Sequence, residues 1–309
     1  WNQEFLSRLE RVMPTSDDMT GFRETIGGGV AVVVGRELPQ AGEVTWEATT
    51  KEQRDGWMEF AGRLKLVSRG ESIPGSFLLP DQWNGQVVLW FDPQGRSVLY
   101  GSDGKPRAEV SDLVNDGVAV GSFDLIGQGE FVTAQETFER TRRVANPRES
   151  ASYTFGYNHA LAAQQAHDVL SAIAYVHYDD RHPIARKQLF VVGSGATGPI
   201  VALALSQSRG AVAEAWIETG GMRFAEVNDL RSPAFLPGGA RYLDVPGFLA
   251  LASPTNVRVW GETESLPDFV AAVHEAEGSS ATREAEAIGL SPESIGPRLQ
   301  ESLRQDRGR

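Results

Sequence analysis

The stretch Leu189 to Leu205, LFVVGSGATGPIVALAL, limits the fold more than any other part of the chain. The apolar run Leu189 to Val192 is too short for a helix and suits a strand buried on both faces. Glycines at 193, 195 and 198 open a tight turn, and Pro199 fits a first helical position before the apolar run Ile200 to Leu205. A helix that is apolar all round has to lie inside a layered structure rather than on its surface. Strand, sharp turn and buried helix therefore belong near the middle of a covered sheet.

Neighbouring segments repeat the alternation. Val87 to Phe91 and Val118 to Phe123 read as buried strands, the second ending at Asp124, with a short helix from Val110 to Asn115 between them. A long helix over about Ala160 to Tyr178 places Ala166, Val169, Leu170, Ile173 and Val176 on one face. Further strands are expected at Ala213 to Ile217, at Val257 to Trp260 and in the last segment, Ala281 to Gly289. This order predicts an α/β chain with a mostly parallel central sheet in three layers. Ahead of it, Val30 to Val34, Arg63 to Val67 and Gly75 to Leu79 read as strands of an antiparallel N-terminal lead-in. Phe5, Leu6, Leu9 and Val12 share a helical face that Pro14 ends, so residues 1–50 are expected to form a linker or docking arm and 51–309 the domain proper.

Composition narrows the functions open to such a fold. With 41% apolar and 23% charged residues in a chain of 309, a sizeable core is available. The 41 acidic residues against 29 basic ones leave a net charge of −12, which disfavours nucleic acid and anionic membrane surfaces as partners. The basic run Arg140-Thr141-Arg142-Arg143, with Arg148, reads as a solvated loop. The absence of cysteine removes disulfides, thiol catalysis and cysteine-ligated zinc. No run reaches the roughly 18 apolar residues that a membrane span needs. The chain opens on Trp1 without an initiator methionine or an apolar signal region, and we expect an excised piece of a longer protein.

Strand, strained turn and helix are the parts of a nucleophile elbow, in which small residues flank a nucleophile lifted above the sheet. Laid on Gly-X-Ser-X-Gly-Gly-Pro, this sequence puts Gly193, Gly198 and Pro199 in place and Gly195 at the nucleophile position. Glycine has no side chain with which to attack a carbonyl. Sliding the register by one residue makes Ser194 the nucleophile instead, at the cost of a bulky Val192 in the turn. The same residues fit G-x-G-x-x-G, but they come too late in the chain for a first dinucleotide-binding unit, and no cofactor is expected. An acid is due after the penultimate strand, where Glu262 stands with Glu264 and Asp268 nearby.

The base is the missing part. Of the histidines His159, His167, His177, His182 and His274, none follows the final strand. His177 and His182 with Asp179 and Asp180 form a polar helix end rather than metal ligands, and no metal is expected. The loop Asp92-Pro93-Gln94-Gly95 is the expected source of backbone donors for an oxyanion.

Several stretches together resemble the C-terminal half of large planctomycete-type acetylxylan-esterase-like α/β-hydrolases, which are dienelactone-hydrolase-like. They are Leu79-Pro80-Asp81-Gln82-Trp83-Asn84-Gly85, Phe123 to Glu130 (FDLIGQGE), Tyr153 to Asn158 (YTFGYN), Gly198-Pro199, and Phe235 to Ala240 ahead of Val245-Pro246-Gly247. The resemblance spans about residues 50 to 265. It implies an α/β-hydrolase fold for residues 51–309 and a secreted or periplasmic location. It further implies that a triad-bearing hydrolase domain precedes this one on the same polypeptide, with a polysaccharide as the shared substrate. Under it Gly193, Gly195 and Gly198 are the remains of an elbow in a non-catalytic domain. The rival expectation is an esterase in its own right, using Ser194 and Glu262.

Overall fold

The computed structural model describes residues 13, 19–132, 140, 141, 154–179, 188–286 and 288–306. The expected N-terminal helix with Phe5, Leu6, Leu9 and Val12 lies outside them, as do Arg142, Arg143, Arg148, Asp180 and His182. Nine strands form one sheet among the described residues: β1 (Val44–Gln53), β2 (Trp57–Leu66), β3 (Glu71–Pro80), β4 (Gln86–Phe91), β5 (Ala119–Phe123), β6 (Gln188–Gly193), β7 (Glu214–Glu218), β8 (Asn256–Trp260) and β9 (Ala281–Arg283). They lie in the order β1-β2-β3-β5-β4-β6-β7-β8-β9. The lead-in pairs β1/β2, β2/β3 and β3/β5 are antiparallel, and every later pair is parallel.

Helices cover both faces, as the fully apolar strands require. A helical stretch α1 is built from Thr20–Phe22, a π-helical turn Arg23–Gly27 and Gly28–Val34. It shares one layer with α3 (Leu161–Tyr178), α4 (Gly198–Leu205), α5 (Asp244–Leu251) and α6 (Asp268–Ala276). The other face carries α2 (Ala108–Asn115) and α7 (Pro292–Asp306). Alternate residues of one strand feed the two cores: Val87, Leu89 and Phe91 of β4 enter the first, Val88 and Trp90 the second. Every residue of α4 is buried, in keeping with its lack of a polar face.

The lead-in differs from the sequence expectation. Val30 to Val34 is helical, with Val30 and Val34 buried and Val32 81% exposed, so burial follows the four-residue helical spacing. The third antiparallel strand is instead β1, whose side chains are mostly solvent-exposed. The described residues 19–34 are not free of the domain. Arg23 makes a two-pronged ion pair with Glu277 at 2.7 and 2.6 Å, Phe22 packs on Phe269 of α6, and Ile26 and Val30 are fully buried.

Candidate functional site

Because β4, β6, β7 and β8 are parallel neighbours, the loops leaving their carboxyl ends gather on one sheet edge, where open α/β sheets place their ligands. The elbow is among them. β6 ends at Gly193, Ser194 is extended at φ −102° and ψ 152°, and one tight turn over Gly195–Thr197 leads into α4 at Gly198. Gly195 holds φ +51°, a left-handed conformation, at the tip of this turn. A β-carbon at Gly198 would sit 1.8 Å from the Glu218 carbonyl oxygen, so only glycine lets α4 lie this close to β7. At the tip there is no side chain, and Pro93 closes the space beside it: a β-carbon on Gly195 would be 3.2 Å from Pro93 Cγ.

Ser194 faces the protein interior. It is 3% exposed, and its hydroxyl donates to Asp92 Oδ2 at 2.5 Å, with the Phe91 carbonyl 3.2 Å away. Asp92 Oδ1 accepts the Gln94 amide at 2.8 Å, so the serine and carboxylate lock the β4 loop onto the elbow. This use of the loop corrects the expectation that its backbone serves as oxyanion donors. Gln94 and Gly95 donate to Asp92, Arg96 donates to the buried Asp124, and Pro93 has no N–H to give.

Sequence reasoning passed over the residue that connects this edge. Glu218, the last residue of β7, accepts at its Oε2 both the Gly195 amide and the Leu290 amide, each at 2.9 Å. Leu290 follows β9, in the segment where a catalytic base would be carried, so a carboxylate bridges the elbow to the loop that lacks the histidine. The available sequence signal was its place: an acidic residue ending the strand next to the elbow strand and followed by Thr219-Gly220-Gly221.

Glu262 lies on the same edge and is committed to an ion pair. Arg223 clasps its carboxylate at 3.0 and 2.6 Å, and the Thr219 hydroxyl donates to it at 2.5 Å. Burial pushes the Glu262 pKa up, but the Arg223 guanidinium and the Thr219 hydroxyl outweigh burial and hold it below the usual glutamate value. Asp268 opens α6, and Glu264 is exposed.

The histidines serve the frame. His274 is fully buried, with its ring nitrogens against the Leu249 carbonyl at 2.9 Å and the Ser279 hydroxyl at 2.8 Å. His167 meets the Val34 carbonyl at 2.6 Å and packs edge-on against His159. Burial lowers the His167 pKa to about 4. His177 meets its neighbour Tyr178 edge-on. Among the described residues no cluster of three or more His, Asp or Glu is arranged to hold a metal ion. Arg140 pairs with Asp229.

No family model and no curated protein sequence matches the chain. Solved structures do. An acetyl xylan esterase assignment from Bacteroides fragilis superposes with a TM-score of 0.63 at 12% identity, over 95% of this chain and 91% of that one. A glucuronoyl esterase from Solibacter usitatus gives 0.55 at 12% identity over 91% and 92%. Acetyl xylan esterase 1 from Thermoanaerobacterium gives 0.55 at 12% identity over 92% and 94%. With the strand order and the elbow in place, the chain has the α/β-hydrolase fold.

Proposed function

We propose that this chain is a non-catalytic α/β-hydrolase domain of a larger carbohydrate esterase of the acetylxylan type. It packs against a triad-bearing hydrolase domain that precedes it on the same polypeptide, and helps shape a polysaccharide groove there. The observation that carries this reading is the tip of the elbow, where Gly195 stands at φ +51° in the place of a nucleophile. Ester hydrolysis needs an activated nucleophile, a base within about 3 Å and donors for the developing oxyanion. Here the neighbouring hydroxyl, Ser194, is buried against Asp92, and the Gly195 amide is taken by Glu218.

The decisive assay compares the chain with Ser194→Ala on p-nitrophenyl acetate and acetylated xylan. Equal, background rates are expected. Turnover above about 1 per second in the unmodified chain, lost in Ser194→Ala, would make Ser194 the nucleophile and overturn the reading. The partner is tested by the reading frame of the gene. A preceding domain with an intact Gly-X-Ser-X-Gly elbow is the expected finding, and a frame without one removes the proposed partner.

A further inference from the structure

At the opposite edge of the sheet from the elbow, the lead-in and the end of α3 line an open-mouthed cavity of about 180 Å³. Trp46, Phe60, Phe77, Trp83 and Tyr175 wall it, each only partly buried. Val87, Ala119 and Val176, all buried, also line it, as does Asp179 just past the end of α3. We propose that this cavity is a binding site for an uncharged single-ring aromatic compound, of which a simple phenol is the type.

Size comes first. An apolar cavity of about 150 Å³ is enough to take up benzene, so the volume here suits one six-membered ring with a small substituent. Surface chemistry agrees. Trp46, Phe77 and Tyr175 already meet one another at ring separations of 5.3, 6.3 and 5.9 Å, the spacing at which aromatic rings attract by their edges and faces. A guest ring extends that cluster.

The walls are also set in advance. Trp83 belongs to the turn over residues 81–85 that joins β3 to β4. Its indole N–H donates to the Gln86 carbonyl at 2.8 Å, while Asn84 in the same turn bonds the Asp116 carbonyl and the Gln86 amide. A fixed ring binds with less loss of side-chain freedom than a mobile one.

Charge selects the guest. Aromatic walls also attract quaternary ammonium ions, but here the buried lining is aliphatic and the Lys51 ammonium stands 5.5 Å over the Phe60 ring. That ammonium opposes a cation at the Phe60 wall and offsets the attraction of the Asp179 carboxylate, whereas a neutral ring needs neither. A carboxylate carries several lone-pair positions, so Asp179 can accept from a hydroxyl at the ring's outer end.

The experiment titrates the chain with 4-fluorophenol, followed by ¹⁹F NMR. Saturable binding with a dissociation constant near or below about 1 mM is expected, with no competition from tetramethylammonium. Ala119→Leu adds bulk to the buried lining and should weaken binding at least about tenfold, with the circular dichroism spectrum unchanged. Should that variant fail to fold, Phe60→Ala, on the half-exposed wall, should weaken binding as well. Binding that does not saturate by about 10 mM, binding indifferent to both variants, or displacement by tetramethylammonium would overturn the proposal.

Discussion

Replacing Glu218 by alanine removes the acceptor of two backbone amides at once, and the cost follows from where those amides lie. Leu290 is fully buried, so its N–H has no water to turn to and bears most of a penalty of about 1–3 kcal/mol for an unsatisfied donor. Gly195 is half-buried, and water can replace part of what its amide loses, leaving about 0.5–1 kcal/mol. The sum is about 1.5–4 kcal/mol, or roughly 2–6 °C in melting temperature for a domain of this size. Glutamine is the control. Both amides converge on a single oxygen, so Glu218→Gln can put its amide oxygen there and give up only the charge assistance, within about 1 kcal/mol. Urea unfolding measures the two costs, and amide hydrogen exchange at 195 and 290 should speed up in the alanine variant alone. Equal costs for glutamine and alanine, or an alanine cost under about 0.5 kcal/mol, would refute the view that this carboxylate holds the elbow to the last loop.

Two further outcomes follow from groups near that edge and beneath it. Gly195→Ser must place a side chain at φ +51° with its β-carbon 3.2 Å from Pro93, so a loss of about 1–2 kcal/mol is expected in urea unfolding, with no gain of p-nitrophenyl acetate hydrolysis. Turnover in that variant would reveal a base within reach of the tip and contradict the assignment. Asp168 is buried on α3, which raises its pKa from 3.8 to about 7, so the folded state keeps a proton that the unfolded state releases and stability falls as pH rises from about 4 to about 7. Its neighbour His167, lowered by burial from 6.5 to about 4, acts in the opposite sense, with stability gained as pH rises from about 4 to about 6.5. Asp168→Asn, whose side-chain oxygen can still accept the Ile126 amide, should therefore gain over the unmodified chain as pH is raised from 5 to 8. Urea midpoints that stay parallel across that range would show the ionised form to be accommodated at no cost.

The central layers were legible because their residues face one environment throughout. Gln86 to Phe91 and Gly198 to Leu205 are buried at every position, so short apolar runs bounded by glycine and proline mark them without ambiguity. Val30 to Val34 misled for the opposite reason. Its β-branched residues favour a strand by type, while packing against the domain selects a helix with Val32 left in water. β1 gave no alternation to read, since beyond Trp46 it is an exposed strand whose side chains meet solvent. The elbow was legible from its glycines, whereas the role of Glu218 was not. Two amides from segments about 95 residues apart in sequence come together only in the folded sheet, and nothing local to a strand-ending glutamate announces them.

The grip of α1 on the last third of the molecule bears on how the chain is made. Arg23 and Glu277 are separated by 254 residues. At a synthesis rate of about 5–20 residues per second, the surface that receives Phe22 and Arg23 leaves the ribosome roughly 10–50 s after they do. Throughout that interval the Phe22 end of α1 lacks its partners in α5 and α6, while the Val34 end can already meet α3. Nascent chains arrested before residue 250 should accordingly present this helix to holding chaperones, and release it only once α5 and α6 have emerged.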